Sequence, residues 1–325
     1  MSYEYEKYVT DIHNLKNMLN LYGVAIIPNV LNHYECNKIN EGMWDFFEHI
    51  SNNWSGELKA INRNDVSTWK GIYQLYPLHS QLFKGIHSSH AQVSWDVRQN
   101  NKIVDIFANL WNCTNEELLV SFDSFSFCLP PEITKKGWEN KSWFHSDQSY
   151  TRNDFECIQS WVTGNDVEEG DSTLAIMEGS HKYHKDFGEK FCINDKNDWY
   201  KLNSIEEKFY VEKNCQYKKI KCPKGSLVLW DSRTIHYGCG PMKNRSNPNF
   251  RSVIYLCYMP KSLCSVKHLE KKKNLFYKKR TTNHWPCKPI TVSEKPNTFG
   301  GKFPEILEVP DPVLSTLGMS LAGIL

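Results

Sequence analysis

Apolar residues recur along this chain with two different periods, and the change between them divides it. Ile12, Leu15, Leu19 and Leu21 fall near helical spacing and predict a short amphipathic helix over 8–21. Val24-Ala25-Ile26-Ile27 reads as a strand that stops at Pro28. Asn32 is suited to cap a second helix, whose apolar positions are Ile39, Met43, Phe46 and Phe47. Residues 51–68 are polar and predict a loop. Val93, Val97, Ile103, Ile106, Phe107 and Leu110 predict a helical stretch over 91–112, with Asn100 and Asn101 as its breaking point.

From about residue 118 the period becomes two. Leu119–Cys128 alternates and ends at Pro130-Pro131, and further strands are predicted at 142–147, 157–163, 172–177, 217–222, 226–230 and 252–259. Many short strands joined by turn residues predict an antiparallel sandwich or barrel, and their number suits a double-sheet jelly roll. The expected fold is therefore mainly β with flanking α-helices. In a single domain over 1–325, residues 1–117 form an N-terminal support and 118–262 the core. The polar segment 183–216 interrupts that core with short helices, and reads equally as a lid over a site or as a solvated excursion. Residues 263–325 form a basic arm and tail. Lys267, Lys271, Lys272, Lys273, Lys278, Lys279 and Arg280 fit a solvated arm better than a nucleic-acid surface, and Val313–Leu325 is apolar enough to dock on the core or at a subunit interface.

Composition narrows the classes. Hydrophobic residues make up 40% of the chain and aromatic residues 13%, enough for a sizeable β-rich core. A net charge of +2 gives no global pull toward nucleic acid or an anionic membrane. The 11 cysteines contain no CxxC pair, which argues against a disulfide framework and against a zinc site. The polar, acidic start is no secretory signal, and no apolar run reaches the ~18 residues of a membrane span. The expected compartment is the cytoplasm.

The candidate chemistry lies in Trp143-Phe144-His145-Ser146-Asp147-Gln148. On an extended strand His145 and Asp147 point to the same side, so an imidazole and a carboxylate can converge on one ion. HxD alone is a common tripeptide. Here a second histidine, His236, follows the apolar run Leu227-Val228-Leu229-Trp230 and supplies a third ligand. Two histidines and one carboxylate with the other positions open form the facial triad of non-haem Fe(II) oxygenases.

Four blocks, Trp143–Gln148, Asp171–His181, Gly225–His236 and Phe250–Pro260, make the chain resemble the phytanoyl-CoA dioxygenase family of Fe(II)/2-oxoglutarate-dependent oxygenases. The blocks span about 120–260; the N-terminal helices resemble the family loosely, and 262–325 adds nothing. The resemblance implies a double-stranded β-helix of cupin type, with Fe(II) held by His145, Asp147 and His236. It implies 2-oxoglutarate and O2 as co-substrates, hydroxylation of a substrate and release of succinate and CO2. Because Asp147 is present, hydroxylation is expected ahead of halogenation. In the family an arginine opening the strand after the distal histidine grips the far carboxylate of 2-oxoglutarate, and Arg251 fits that place. Arg245 is its rival, in a turn-like stretch expected to be solvated. Ser126 is a further candidate for 2-oxoglutarate, and Trp143, Gln148 and Trp161 for the pocket. Asp231 reads either as orienting His236 or as capping a turn. His181 and His184 belong to a turn where Glu178 stands in place of the family's proline, and are expected to be structural. The expected substrate is a small molecule, unidentified by the sequence, with nucleic acid disfavoured. The alternatives are a non-catalytic scaffold of the same fold and an oxygenase acting on a macromolecule.

Overall fold

The computed structural model describes residues 1–77, 82–135, 137–138, 141–245, 247–295 and 297–325. Its strands are β1 (Ser2–Glu4), β2 (Val24–Ile27), β3 (Leu118–Val120), β4 (Phe125–Cys128), β5 (His145–Ser146), β6 (Ile158–Thr163), β7 (Thr173–Met177), β8 (Tyr200–Lys201), β9 (Tyr217–Ile220), β10 (Leu227–Asp231), β11 (His236–Cys239) and β12 (Arg251–Pro260). They form two sheets. One runs β1-β9-β7-β11-β5-β8, the other β2-β10-β6-β12-β3, with β4 also on β12. Apart from the parallel β1–β9 pair, every pairing of these strands is antiparallel. This is the jelly-roll core with flanking helices.

Between the sheets lie Val24, Ile26, Trp161, Leu174, Ile176, Val228, Trp230 and Val253. The intervening residues of β6, β10 and β12, among them Val162, Leu227, Leu229, Ile254 and Leu256, point outward into a second core. The helices cover that outer face. Helix His33–Ile50 starts at a capping box, in which the Asn32 side chain accepts from the Glu35 amide (2.9 Å) and Glu35 accepts from the Asn32 amide (2.7 Å). It contributes Ile39, Met43, Phe46, Phe47 and Ile50 to the outer core. A strand covered on both faces can be apolar at successive positions, which is why Leu227-Val228-Leu229-Trp230 does not alternate.

Several boundaries differ from expectation, each for a local reason. The first helix begins only at Leu15, because the Asp11 carboxylate accepts the amides of His13 and Asn14 and holds a turn there. The predicted 91–112 stretch is two helices, Gln92–Arg98 and Asn101–Trp111. The Asn100 side chain caps the second by accepting from the Lys102 amide at 3.1 Å. The run 119–128 is two strands, parted where the Arg98 guanidinium takes the Asp123 carbonyl.

The segment 183–216 is neither a free excursion nor simply a lid. Its Phe187, Leu202, Phe209 and Tyr210 pack with Phe144, Ala175, Met177 and Tyr237 on the outer face of the first sheet. The arm after 262 is not merely solvated either. Helix Val266–Tyr277 buries Lys272 and Leu275, and Lys279 pairs with Glu308 and Asp311. The tail docks on the core through helix Thr316–Ala322, with Leu321 fully buried. Among the described residues no helix is long and apolar enough to cross a membrane.

Candidate metal centre

Strand pairing brings the two histidines together. His236 stands opposite His145 across β11 and β5, and their ring centroids are 4.4 Å apart. Asp147 follows β5, its amide donating to the Ser232 carbonyl at 3.1 Å. Its carboxylate lies 3.5 Å from His145 Nε2 and 3.3 Å from His236 Nε2. One ligand atom from each of the three residues fits within a span of 4.8 Å, and this is the one such group of three or more His, Cys, Asp or Glu among the described residues.

Backbone carbonyls fix both rings. The Trp143 carbonyl lies 3.3 Å from His145 Nδ1, and the Thr234 carbonyl 2.8 Å from His236 Nδ1. A carbonyl can only accept, so each Nδ1 carries the proton and each Nε2 presents a lone pair. That donor set, two imidazole nitrogens and one carboxylate, fits Fe(II) with positions left open for other ligands. Trp143 stacks on the His145 ring at 4.7 Å with an interplanar angle of 3°. The Trp230 indole donates toward His236 Nε2 at 3.3 Å.

The carboxylate has its own support. Gln159, pointing inward from β6, donates to Asp147 Oδ2 at 2.9 Å. Burial alone raises the Asp147 pKa, but the neighbouring imidazoles of His145, His284 and His236 outweigh it and hold the carboxyl well below the usual carboxylate range. Burial lowers the pKa of His145, and His236 adds to this, while Asp147 opposes it.

The expected anion site lies at Arg251. This residue opens β12 and is buried, with Nη1 donating to the Ser172 carbonyl (2.9 Å) and Nη2 to the Tyr255 hydroxyl (3.2 Å). The guanidinium lies 5.4 Å from the centroid of the Trp161 ring. Among the described residues no carboxylate pairs with it, and both Arg251 Nε and Trp161 Nε1 are buried without a hydrogen-bond partner. A buried cation beside unsatisfied donors fits an incoming carboxylate. Ser126 faces Val253 across β4 and β12, and its hydroxyl lies 3.6 Å from Cys128 Sγ.

Arg245 is not solvated. Its side chain is 3% exposed, and its fork is filled by Glu132 at 2.8 Å and Asp171 at 2.5 Å. The turn-like composition around it concealed this, because both partners are distant in sequence. Gln148 is fully buried, its amide nitrogen donating to the Arg152 and Asp154 carbonyls, which closes the loop after Asp147. Asp231 caps the turn before His236. It accepts the Arg233 amide and guanidinium at 2.9 Å and touches no ligand. His181 bonds the Asn20 carbonyl (3.0 Å), and His184 bonds the Ser149 carbonyl (3.1 Å) and stacks on Tyr150. Burial lowers the pKa of both histidines. Glu178 ties the turn to the N-terminus through Lys7 (2.7 Å) and the Tyr8 hydroxyl (2.5 Å).

Sequence reading missed three residues here. Gln159 carried a signal, as a polar side chain inside a strand buried at every position. Trp199 and His284 carried none, since both lie in stretches without periodicity.

Comparison with known proteins agrees with this geometry. A family model described as phytanoyl-CoA dioxygenase matches residues 19–247. The match therefore begins inside the first N-terminal helix, takes in the later ones and stops four residues short of Arg251. Ava biosynthesis cluster protein O of Aspergillus versicolor is 28% identical over 71% of this chain and 75% of its own length. A putative phytanoyl-CoA dioxygenase of Dictyostelium discoideum is 23% identical over 78% of this chain and 77% of its own. In fold, a putative oxidoreductase from Salmonella typhimurium LT2 aligns with a TM-score of 0.59 at 11% identity, covering 97% of this chain and 86% of that one.

Proposed function

The chain belongs to the phytanoyl-CoA dioxygenase family, and from that premise we propose that it is an Fe(II)- and 2-oxoglutarate-dependent dioxygenase that hydroxylates a small molecule. The observation that carries this reading is the convergence of His145 Nε2, His236 Nε2 and the Asp147 carboxylate, with both Nδ1 atoms committed to carbonyls. Iron(II), when bound, supplies the redox chemistry that couples oxidative decarboxylation of 2-oxoglutarate by O2 to oxidation of a C–H bond.

The chain's own residues hold and orient. His145, Asp147 and His236 would take one face of the ion. Trp143 and the two carbonyls keep the rings from rotating away, and Gln159 keeps Asp147 from swinging out. Arg251 would receive the far carboxylate of 2-oxoglutarate, with Trp161 as the wall beneath its guanidinium. Ser126, on the neighbouring strand, faces the same interior. Because these groups sit on strands buried on both faces, the co-substrate would be placed by rigid elements. A small-molecule substrate is supported by one relative's name, which ties it to a biosynthesis cluster.

The test is turnover without the true substrate. Purified protein supplied with 2-oxoglutarate and O2 is expected to form succinate above background only when Fe(II) is present. No succinate at saturating iron, with a broad panel of small molecules added, would leave the non-catalytic reading standing instead.

A further inference from the structure

Two side chains from outside the jelly roll reach the metal centre, and nothing in the metal or co-substrate machinery uses either. The first is Trp199, in the segment that covers the first sheet. Its ring centroid lies 5.9 Å from that of His145, yet 53% of the residue is exposed. Its backbone is left-handed (φ 74°), a conformation a bulky residue rarely adopts without being held there. It is held from both sides. Asp198 accepts the Ser149 amide (3.0 Å) and the Arg152 guanidinium (2.7 Å), and Tyr200 and Lys201 form β8 against His145 and Ser146. An indole held beside His145 and still exposed to solvent is a platform for a flat apolar group.

The second is His284, from the C-terminal arm. Its turn is rigid: Thr282 bridges Thr291, and Asn283 and Ile290 exchange hydrogen bonds of 2.8 and 3.0 Å. The next residue, Trp285, is buried against Cys157 and Cys257 and lies under the Arg152 guanidinium at 5.1 Å. The Cys157 carbonyl accepts from Ser232, whose own carbonyl accepts the amides of Asp147 and Gln148. These links seat the turn beside the loop that carries Asp147. His284 Nε2 is buried and has no hydrogen-bond partner among the described residues. A buried polar atom left unpaired is unfavourable, so a ligand atom belongs opposite it.

We propose that the substrate is an apolar, ring-bearing molecule with a hydroxyl or carbonyl oxygen, its ring lying on Trp199 and its oxygen hydrogen-bonded to His284 Nε2. This rests on the proposed function, since it deepens the substrate class of the same site. Trp199 and His284 set specificity and take no part in holding the metal.

The probe is 2-naphthol, titrated calorimetrically into the full chain with Mn(II) and 2-oxoglutarate. Naphthalene is the analogue without oxygen, and decahydro-2-naphthol the analogue without a flat ring. The wild-type chain is expected to bind 2-naphthol about tenfold tighter than either analogue. His284→Ala is expected to erase the advantage over naphthalene alone, and Trp199→Ala the advantage over the saturated ring alone. His284→Gln, which keeps a polar group at similar reach, is expected to restore part of the first. Mn(II) affinity is read separately by water-proton relaxation, and the titrations are repeated without metal. A failed metal centre therefore shows itself apart from a failed substrate wall. No measurable binding of 2-naphthol to the wild-type chain, or equal preferences in wild type and both alanine variants, overturns the proposal.

Discussion

At the scale of single residues, the two arginines differ in what already occupies them. Arg245 has two carboxylates in its fork, whereas Arg251 is buried with none among the described residues. Removing a charge-assisted, bidentate partner from a pocket costs on the order of 2–5 kcal/mol, much of it from the stranded carboxylate. Arg251→Ala is therefore expected to raise the apparent constant for 2-oxoglutarate more than about tenfold, with metal affinity nearly unchanged. Arg251→Lys recovers only part, because an ammonium cannot form the fork. Calorimetry or a succinate assay on both variants reads this directly, and an unchanged constant in Arg251→Ala would place the co-substrate elsewhere. The clustering of His145, Asp147 and His236 and the place of Arg251 at the head of a strand were legible because each sits at a fixed offset within a strand block. Trp199 and His284 were not, because their approach to the site depends on how the 183–216 segment and the C-terminal arm fold back. No local pattern encodes that.

At the scale of elements, the strands near the site were legible in outline. Their edges were set by contacts that the sequence does not display. β11, which carries His236, escaped because His236-Tyr237-Gly238-Cys239 lacks an apolar run; its pairing with β7 and β5 defines it. The loop between β11 and β12 was misjudged for a related reason. Its polar, turn-forming residues suggested solvent, yet Arg245 pins it to Glu132 and Asp171. Breaking a buried pair by removing one partner leaves uncompensated charge and costs on the order of 3 kcal/mol. Arg245→Ala is expected to lower thermal stability accordingly, while the apparent constant for 2-oxoglutarate changes less than about threefold. A variant with normal stability and a large loss of 2-oxoglutarate affinity would exchange the roles of the two arginines.

At the scale of the whole molecule, the jelly roll is wrapped by segments that read as accessory. Helix Val266–Tyr277 seals one end by burying Lys272, whose Nζ donates to the Val120 carbonyl and lies 3.7 Å from the centroid of the Phe122 ring. Burial pushes this ammonium down to about 7, with Arg98 adding to the effect and Cys287 opposing it. The unfolded chain therefore holds the Lys272 proton more tightly than the folded chain does. The destabilisation is complete below the folded value and disappears above the ordinary lysine value, so stability from this group rises with pH between them. Lys272→Met is expected to melt above wild type near pH 6, with the gap closing as the pH approaches 10; a gap independent of pH would contradict it. The cluster of His145, Asp147 and His236 is tested most directly by anaerobic Fe(II) titration of the wild-type chain beside His145→Ala and His236→Ala. One ion per chain is expected in wild type, with binding largely lost in both variants. Affinity unchanged in both would contradict it.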